Sequence, residues 1–110
     1  MSDTSIPMVK TASVTSAWTI VADVVTDGYR DVSIKLKNTG STNALTSCEI
    51  QYYLGPADTD WHSEAWTAAA SLTAGSSLRQ VISNAAEVRI RVRAKSTSGT
   101  TTYCRVDGTR

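Results

Sequence analysis

The only histidine of the chain, His62, lies in the segment 57–67, ADTDWHSEAWT, between Trp61 and Ser63. An imidazole is the natural first candidate for acid–base work or for activating a nucleophile. A Ser-His-Asp relay, however, needs three groups gathered by the fold with an oxyanion site beside them. Ser, Thr and Asp are so frequent here that partners for His62 carry no information, and no nucleophile-elbow sequence is present. Asp58, Asp60 and Glu64 crowd the same segment. Paired carboxylates can move protons or hold calcium. These three lack the Asp-x-Asp-x-Asp-Gly register of a calcium loop and read as a solvated acidic loop. Cys48 and Cys104 are too widely spaced for a zinc pattern of clustered Cys and His. They read as two buried reduced thiols. A bridge between them would close a loop worth roughly 4 kcal/mol, but it needs an oxidising compartment that nothing in the sequence indicates. No catalytic residue, metal or cofactor is expected, and the chain reads as a non-enzyme.

Two other groups of residues point to recognition. In EVRIRVRAK at 87–95, Val88, Ile90, Val92 and Ala94 alternate with Arg89, Arg91, Arg93 and Lys95. On a strand, alternate residues share a face, so the four cations form a ridge. Three partners fit it: acids such as Glu49 across the same sheet, an acidic protein surface, or phosphates. The first is preferred, and no direct nucleic-acid partner is expected, because exposed stacking aromatics are few. The second group is Trp61 and Trp66. They fit either a sugar-stacking platform or a plug at one end of the fold, and the plug is preferred. Trp18 reads as core-facing, in series with Ile20, Ala22 and Val24.

The elements that carry these residues are short strands. Residues 17–25, 32–38, 46–54, 60–68, 77–83, 87–95 and 101–106 alternate or are rich in β-branched residues. Asp27-Gly28, Asn38-Thr39-Gly40-Ser41, Gly55-Pro56, Thr73-Ala74-Gly75-Ser76 and Ser96 to Gly99 punctuate them. In the third strand Cys48, Ile50, Tyr52 and Leu54 are expected to point inwards. A slip in the alternation at Val81-Ile82 suggests a bulge. About seven strands at this spacing predict an all-β, immunoglobulin-like antiparallel β-sandwich over 17–110. Residues 1–16, MSDTSIPMVKTASVTS, read as an extended N-terminal arm. Its apolar patch, Ile6, Pro7, Met8 and Val9, is a candidate interface. Loss of residues 1–12 is expected to leave the fold intact.

The 110 residues suit one domain. Net charge is +1, yet seven of the 11 basic residues lie from Arg79 onwards, against only Glu87 and Asp107 of the ten acids. That asymmetry suits pairing within the fold, or head-to-tail contact between copies. No secretory signal is expected in the polar first residues, and no apolar run is long enough to span a bilayer, so no membrane partner is expected.

Three stretches together resemble a known group. They are VSIKLKNTGSTNALTSCEIQYYLGP at 32–56, SLTAGSSLRQVISNAAEVRIRVRAKS at 71–96 and TTTYCRVDG at 100–108. Their order resembles small immunoglobulin-like or fibronectin-III-like structural proteins of tailed bacteriophages, several of which are capsid decoration, or cement, proteins. The resemblance implies a homo-oligomer, such as a trimer, seated on the major capsid protein of the virion surface and assembled in the host cytoplasm. It implies no active site. The contrasting expectation is a carbohydrate-binding or adhesive sandwich presenting Trp61 and Trp66 to glycan.

Overall fold

The structure, a computed structural model, describes residues 5–55, 59–83 and 89–110. It is all-β among those residues: Met8–Val14 (β1), Thr19–Val25 (β2), Asp31–Asn38 (β3), Ser47–Tyr53 (β4), Trp61–Ala65 (β5), Ser77–Ile82 (β6), Arg89–Lys95 (β7) and Thr100–Thr109 (β8). Alternation in the sequence becomes alternation in burial. Val32, Ile34 and Leu36 of β3 are fully buried, while Lys35 and Lys37 between and after them are exposed. Ile90, Val92 and Ala94 of β7 repeat the pattern. Each inward series removes apolar area from water while its outward neighbours stay wet, which pins the register of β3 and β7.

The strands form two antiparallel sheets of four. Sheet A has the order β1-β8-β3-β6, and sheet B the order β2-β7-β4-β5. The pairs β1–β8, β2–β7, β3–β6 and β4–β5 nest one inside the next, like a long hairpin rolled up from its closed end. That is the jelly-roll arrangement. It corrects the immunoglobulin-like expectation. An immunoglobulin sandwich places its first two strands side by side in one sheet. Here β1 and β2 lie in opposite sheets. The spacing of strands along the chain is the same for both folds; only the long-range pairing separates them.

The eighth strand comes from the expected arm. Residues 8–14 pair along their whole length with β8, from Met8 opposite Val106 to Val14 opposite Thr100. Met8 and Val14 are buried, and Ile6 and Ala12 pack against the core. The Tyr29 hydroxyl donates to the Ile6 carbonyl at 3.1 Å. The Tyr29 ring in turn covers Gly108, where a Cβ would meet it at 2.5 Å. Residues 1–12 therefore contain most of an edge strand, β1. Residues 1–4 lie outside the described part.

Two details of register differ from the sequence reading. The bulge is in β2, between Ile20 and Ala22, and β6 pairs without interruption from Ser77 to Ile82. The bulge lets Val21 and Ala22 both turn inwards. It therefore moves Trp18 and Ile20 off the core face. Leu54, expected inside, lies beyond the end of β4 and is 69% exposed.

The connection from β5 to β6 closes one side of the sandwich with Trp66, Ala69 and Leu72, all buried. Asn38, at the end of β3, organises the loops near it. Its amide donates to the carbonyls of Asn43 at 2.9 Å and Leu72 at 3.0 Å. Its Oδ1 accepts from the Gly40 N–H at 3.0 Å and the Thr100 hydroxyl at 2.8 Å. A fully buried side-chain amide is tolerated here because all of its main hydrogen-bonding directions are used.

Candidate functional site

The outward face of sheet B gathers most of the residues singled out for recognition. Arg89, Arg91, Arg93 and Lys95 do lie along one face of β7, but their neighbours on β2 and β4 hold them. Arg89 forks onto Asp23, with Nε to Oδ1 at 2.8 Å and Nη2 to Oδ2 at 2.7 Å. Arg93 places Nε and Nη2 on one oxygen of Glu49, at 3.0 and 2.7 Å. The register explains both: Arg93 stands opposite Glu49, and Asp23 sits diagonally across from Arg89 on the same face. Both pairs are charge-assisted and only partly buried. Two of the four cations of the ridge are thus paired with acids of their own sheet, Arg93 with the Glu49 named as a cross-strand partner.

Aromatic rings fill the gaps. The Arg91 guanidinium lies over the Trp61 ring, 3.8 Å from its centroid, and the Tyr53 ring meets Trp61 at 5.1 Å. Arg93 and Lys95 cover Trp18 at 4.4 and 4.5 Å. A cation over an indole face is held by the ring quadrupole. Trp18 therefore serves the outer face and not the core, a direct result of the β2 bulge. The two expected ligand aromatics are not brought together. Trp61 is half-buried under Arg91 on the outer face, whereas Trp66 is 5% exposed and plugs the core. A sugar-stacking pair built from both is excluded by that separation.

Of the N-terminal patch, Met8 belongs to the core, Ile6 packs against it, Pro7 is exposed, and Val9 is 54% exposed on the open edge strand. The acidic segment does not converge. His62 is exposed, stacks on Tyr52 at 6.4 Å and sits 3.4 Å from Glu64. Asp60 and Glu64 are exposed, and Asp58 lies outside the described residues, as does Val88. Among the described residues no group of His, Cys, Asp and Glu has the arrangement of a metal site.

Cys48 on sheet B and Cys104 on sheet A are free and buried. Burial pushes the Cys48 thiol up to about 12, and the neighbouring Cys104 adds to the shift. Burial likewise pushes Cys104 up to about 12, partly offset by Lys10. Both are neutral thiols at physiological pH and poor nucleophiles. A hydroxyl-lined depression of about 350 Å³ at one end is bounded by Thr39 to Asn43 and Gly99 to Thr101.

No protein-family model matches the chain, and no curated protein matches it. No helix among the described residues is long and apolar enough to cross a membrane.

Proposed function

We propose that this chain is a non-enzymatic docking module, and that its specific role is decoration of a tailed-phage head. The observation that carries the reading is the layout of its polar chemistry. Arg89, Arg93, Asp23, Glu49, Trp18 and Trp61 are held by ion pairs and ring contacts on the outer face of a sheet. Such a pre-ordered surface suits another protein, because little side-chain freedom remains to be lost on contact. The jelly roll is shared by viral capsid and lectin domains. That analogy operates at the level of fold alone and adds weight without naming a partner. The stretches at 32–56, 71–96 and 100–108 supply the phage context.

The mechanism is physical. A decoration protein bridges neighbouring capsomers of the major capsid protein and recognises an arrangement that exists only in the expanded shell. Binding that state alone stabilises it by mass action, by about 2.7 kcal/mol at a hundredfold excess over Kd. Self-association into a trimer would place several such faces on a threefold lattice position. The test is occupancy on purified expanded heads of the encoding phage, measured by co-sedimentation. Saturable, stoichiometric binding supports the reading; absence of binding ends it. The glycan reading loses its paired tryptophans, since Trp66 is in the core.

A further inference from the structure

The outer face of sheet A is built on a different electrostatic plan from that of sheet B. Lys35 of β3 stands directly between Arg105 of β8 and Arg79 of β6. Val9 of β1 extends this row beyond Arg105. In a neighbouring row on the same face, Lys37 stands between Tyr103 and Ser77. Lys35, Lys37, Arg79 and Arg105 are all exposed. Like charges directly opposite one another destabilise a sheet. On sheet B the chain avoids this by setting Arg93 opposite Glu49 and Arg91 opposite Asp23. On sheet A it sets three cations abreast.

The acids of this face offset only part of it: Arg105 and, more weakly, Lys35 hold the Asp107 carboxyl down. Asp31 and Asp107 lie towards the start of β3, and Arg105 holds Asp107 through bonds of 2.9 and 3.1 Å. Lys35, Lys37 and Arg79 make no ion pair among the described residues. A shallow depression of about 420 Å³ opens between Lys35, Lys37, Ser77, Arg79 and Tyr103. Val9 and Val81, 54% and 46% exposed, flank it on the outer strands. A nucleic-acid track needs several stacking aromatics and a long cationic path. This face offers one tyrosine, and the whole chain has a net charge of only +1. Cations mixed with exposed aliphatic side chains suit the carboxylates and apolar rim of a protein.

We propose that the outer face of β8, β3 and β6, centred on Lys35, docks an acidic protein surface whose carboxylates engage Lys35, Lys37 and Arg79. The inference rests on the docking role proposed for the chain and adds a second, charged face to the ordered one on sheet B. An anionic partner relieves the repulsion that the free chain carries.

Poly-L-glutamate serves as the probe, with binding read by fluorescence anisotropy at low and high salt. The triple variant Lys35→Gln/Lys37→Gln/Arg79→Gln is compared with the wild type and with a control that removes cations elsewhere, Lys10→Gln/Arg30→Gln. Each docking cation is expected to contribute about two- to fivefold, so the triple variant loses tens of fold. The control stays within about twofold, and binding fades as salt screens the charges. The triple variant melts no lower than the wild type at low salt, because the like-charge row is gone. Equal binding by all three proteins would overturn the proposal. So would tighter binding of a thymidine oligonucleotide through the same three residues, or self-association that the triple variant abolishes. Retained occupancy of the triple variant on phage heads would reject this face and leave the docking role standing. Failure of the wild type to occupy heads would reject that role and leave the poly-L-glutamate result to be judged alone.

Discussion

Replacing Asn38 with alanine removes four hydrogen bonds from a fully buried site. One of the groups it leaves, the Leu72 carbonyl, still accepts from the Leu45 N–H at 3.0 Å. The Asn43 carbonyl and the Gly40 N–H lose the bonds that Asn38 makes to them. A satisfied intramolecular hydrogen bond contributes about 1 kcal/mol net, and a buried polar group left alone costs about 1–3 kcal/mol. The expected loss is therefore about 3–4 kcal/mol, roughly a third of the stability of a typical domain of about 10 kcal/mol. In thermal unfolding that corresponds to a fall in Tm of roughly 12 °C or more. Asn38→Asp has nearly the same shape but turns the donating end into an acceptor facing two carbonyls. At neutral pH it should be at least as damaging. Burial raises the pKa of that carboxyl in the folded state, so the folded protein binds the extra proton first. Its stability relative to the wild type should then recover as pH falls through the raised value and be lost again as pH rises. Urea unfolding of wild type, Asn38→Ala and Asn38→Asp across pH checks all of this. A loss below about 1 kcal/mol for alanine, or a pH-independent aspartate variant, would refute the role given to Asn38.

Other consequences follow from the same structure. Cys48 and Cys104 should resist a thiol reagent in the native state and react promptly in denaturant. Their folded pKa values near 12 exceed the unfolded value near 9. Their contribution is thus fully present below pH 9 and is lost as pH rises towards 12, which alkaline urea titrations of the wild type and a Cys48→Ala/Cys104→Ala pair would show. Met8→Ala should cost about 2–4 kcal/mol, and removal of residues 1–12 should abolish cooperative unfolding, because β1 supplies an edge and core contacts; circular dichroism melts decide. A double-mutant cycle on Arg89 and Asp23 should give a coupling of roughly 0.5–1 kcal/mol that shrinks in salt, as befits a pair that is only partly buried.

Alternation is the legible part of this chain. β3 and β7 each have one wet face, so Lys35 and Lys37, or Arg89 to Lys95, advertise their side from the order of residues alone. β1 is hard to read because MVKTASV anchors to the core only through Met8, Ala12 and Val14, and it borrows the rest of its stability from β8. The β2 bulge is silent: a run of small and β-branched residues gives no sign of where one residue is added, so nothing local tells the side on which Trp18 falls. Strand order is beyond reach for a related reason. Nested pairing joins Met8 to Val106, and no local pattern records a partner so far along the chain. The recognition features divide in the same way. The arginine ridge is visible because its members share one strand. The cationic row of sheet A is not, because Arg105, Lys35 and Arg79 meet only through register.

The proposed decoration role can be checked by co-sedimentation of the purified chain with expanded heads of the phage proposed to carry it. Saturable binding is expected at a fixed number of copies per capsomer, weakened by salt and by Lys35→Gln/Lys37→Gln/Arg79→Gln. Heads that pellet without the chain, at concentrations well above those of a working decoration protein, would contradict it.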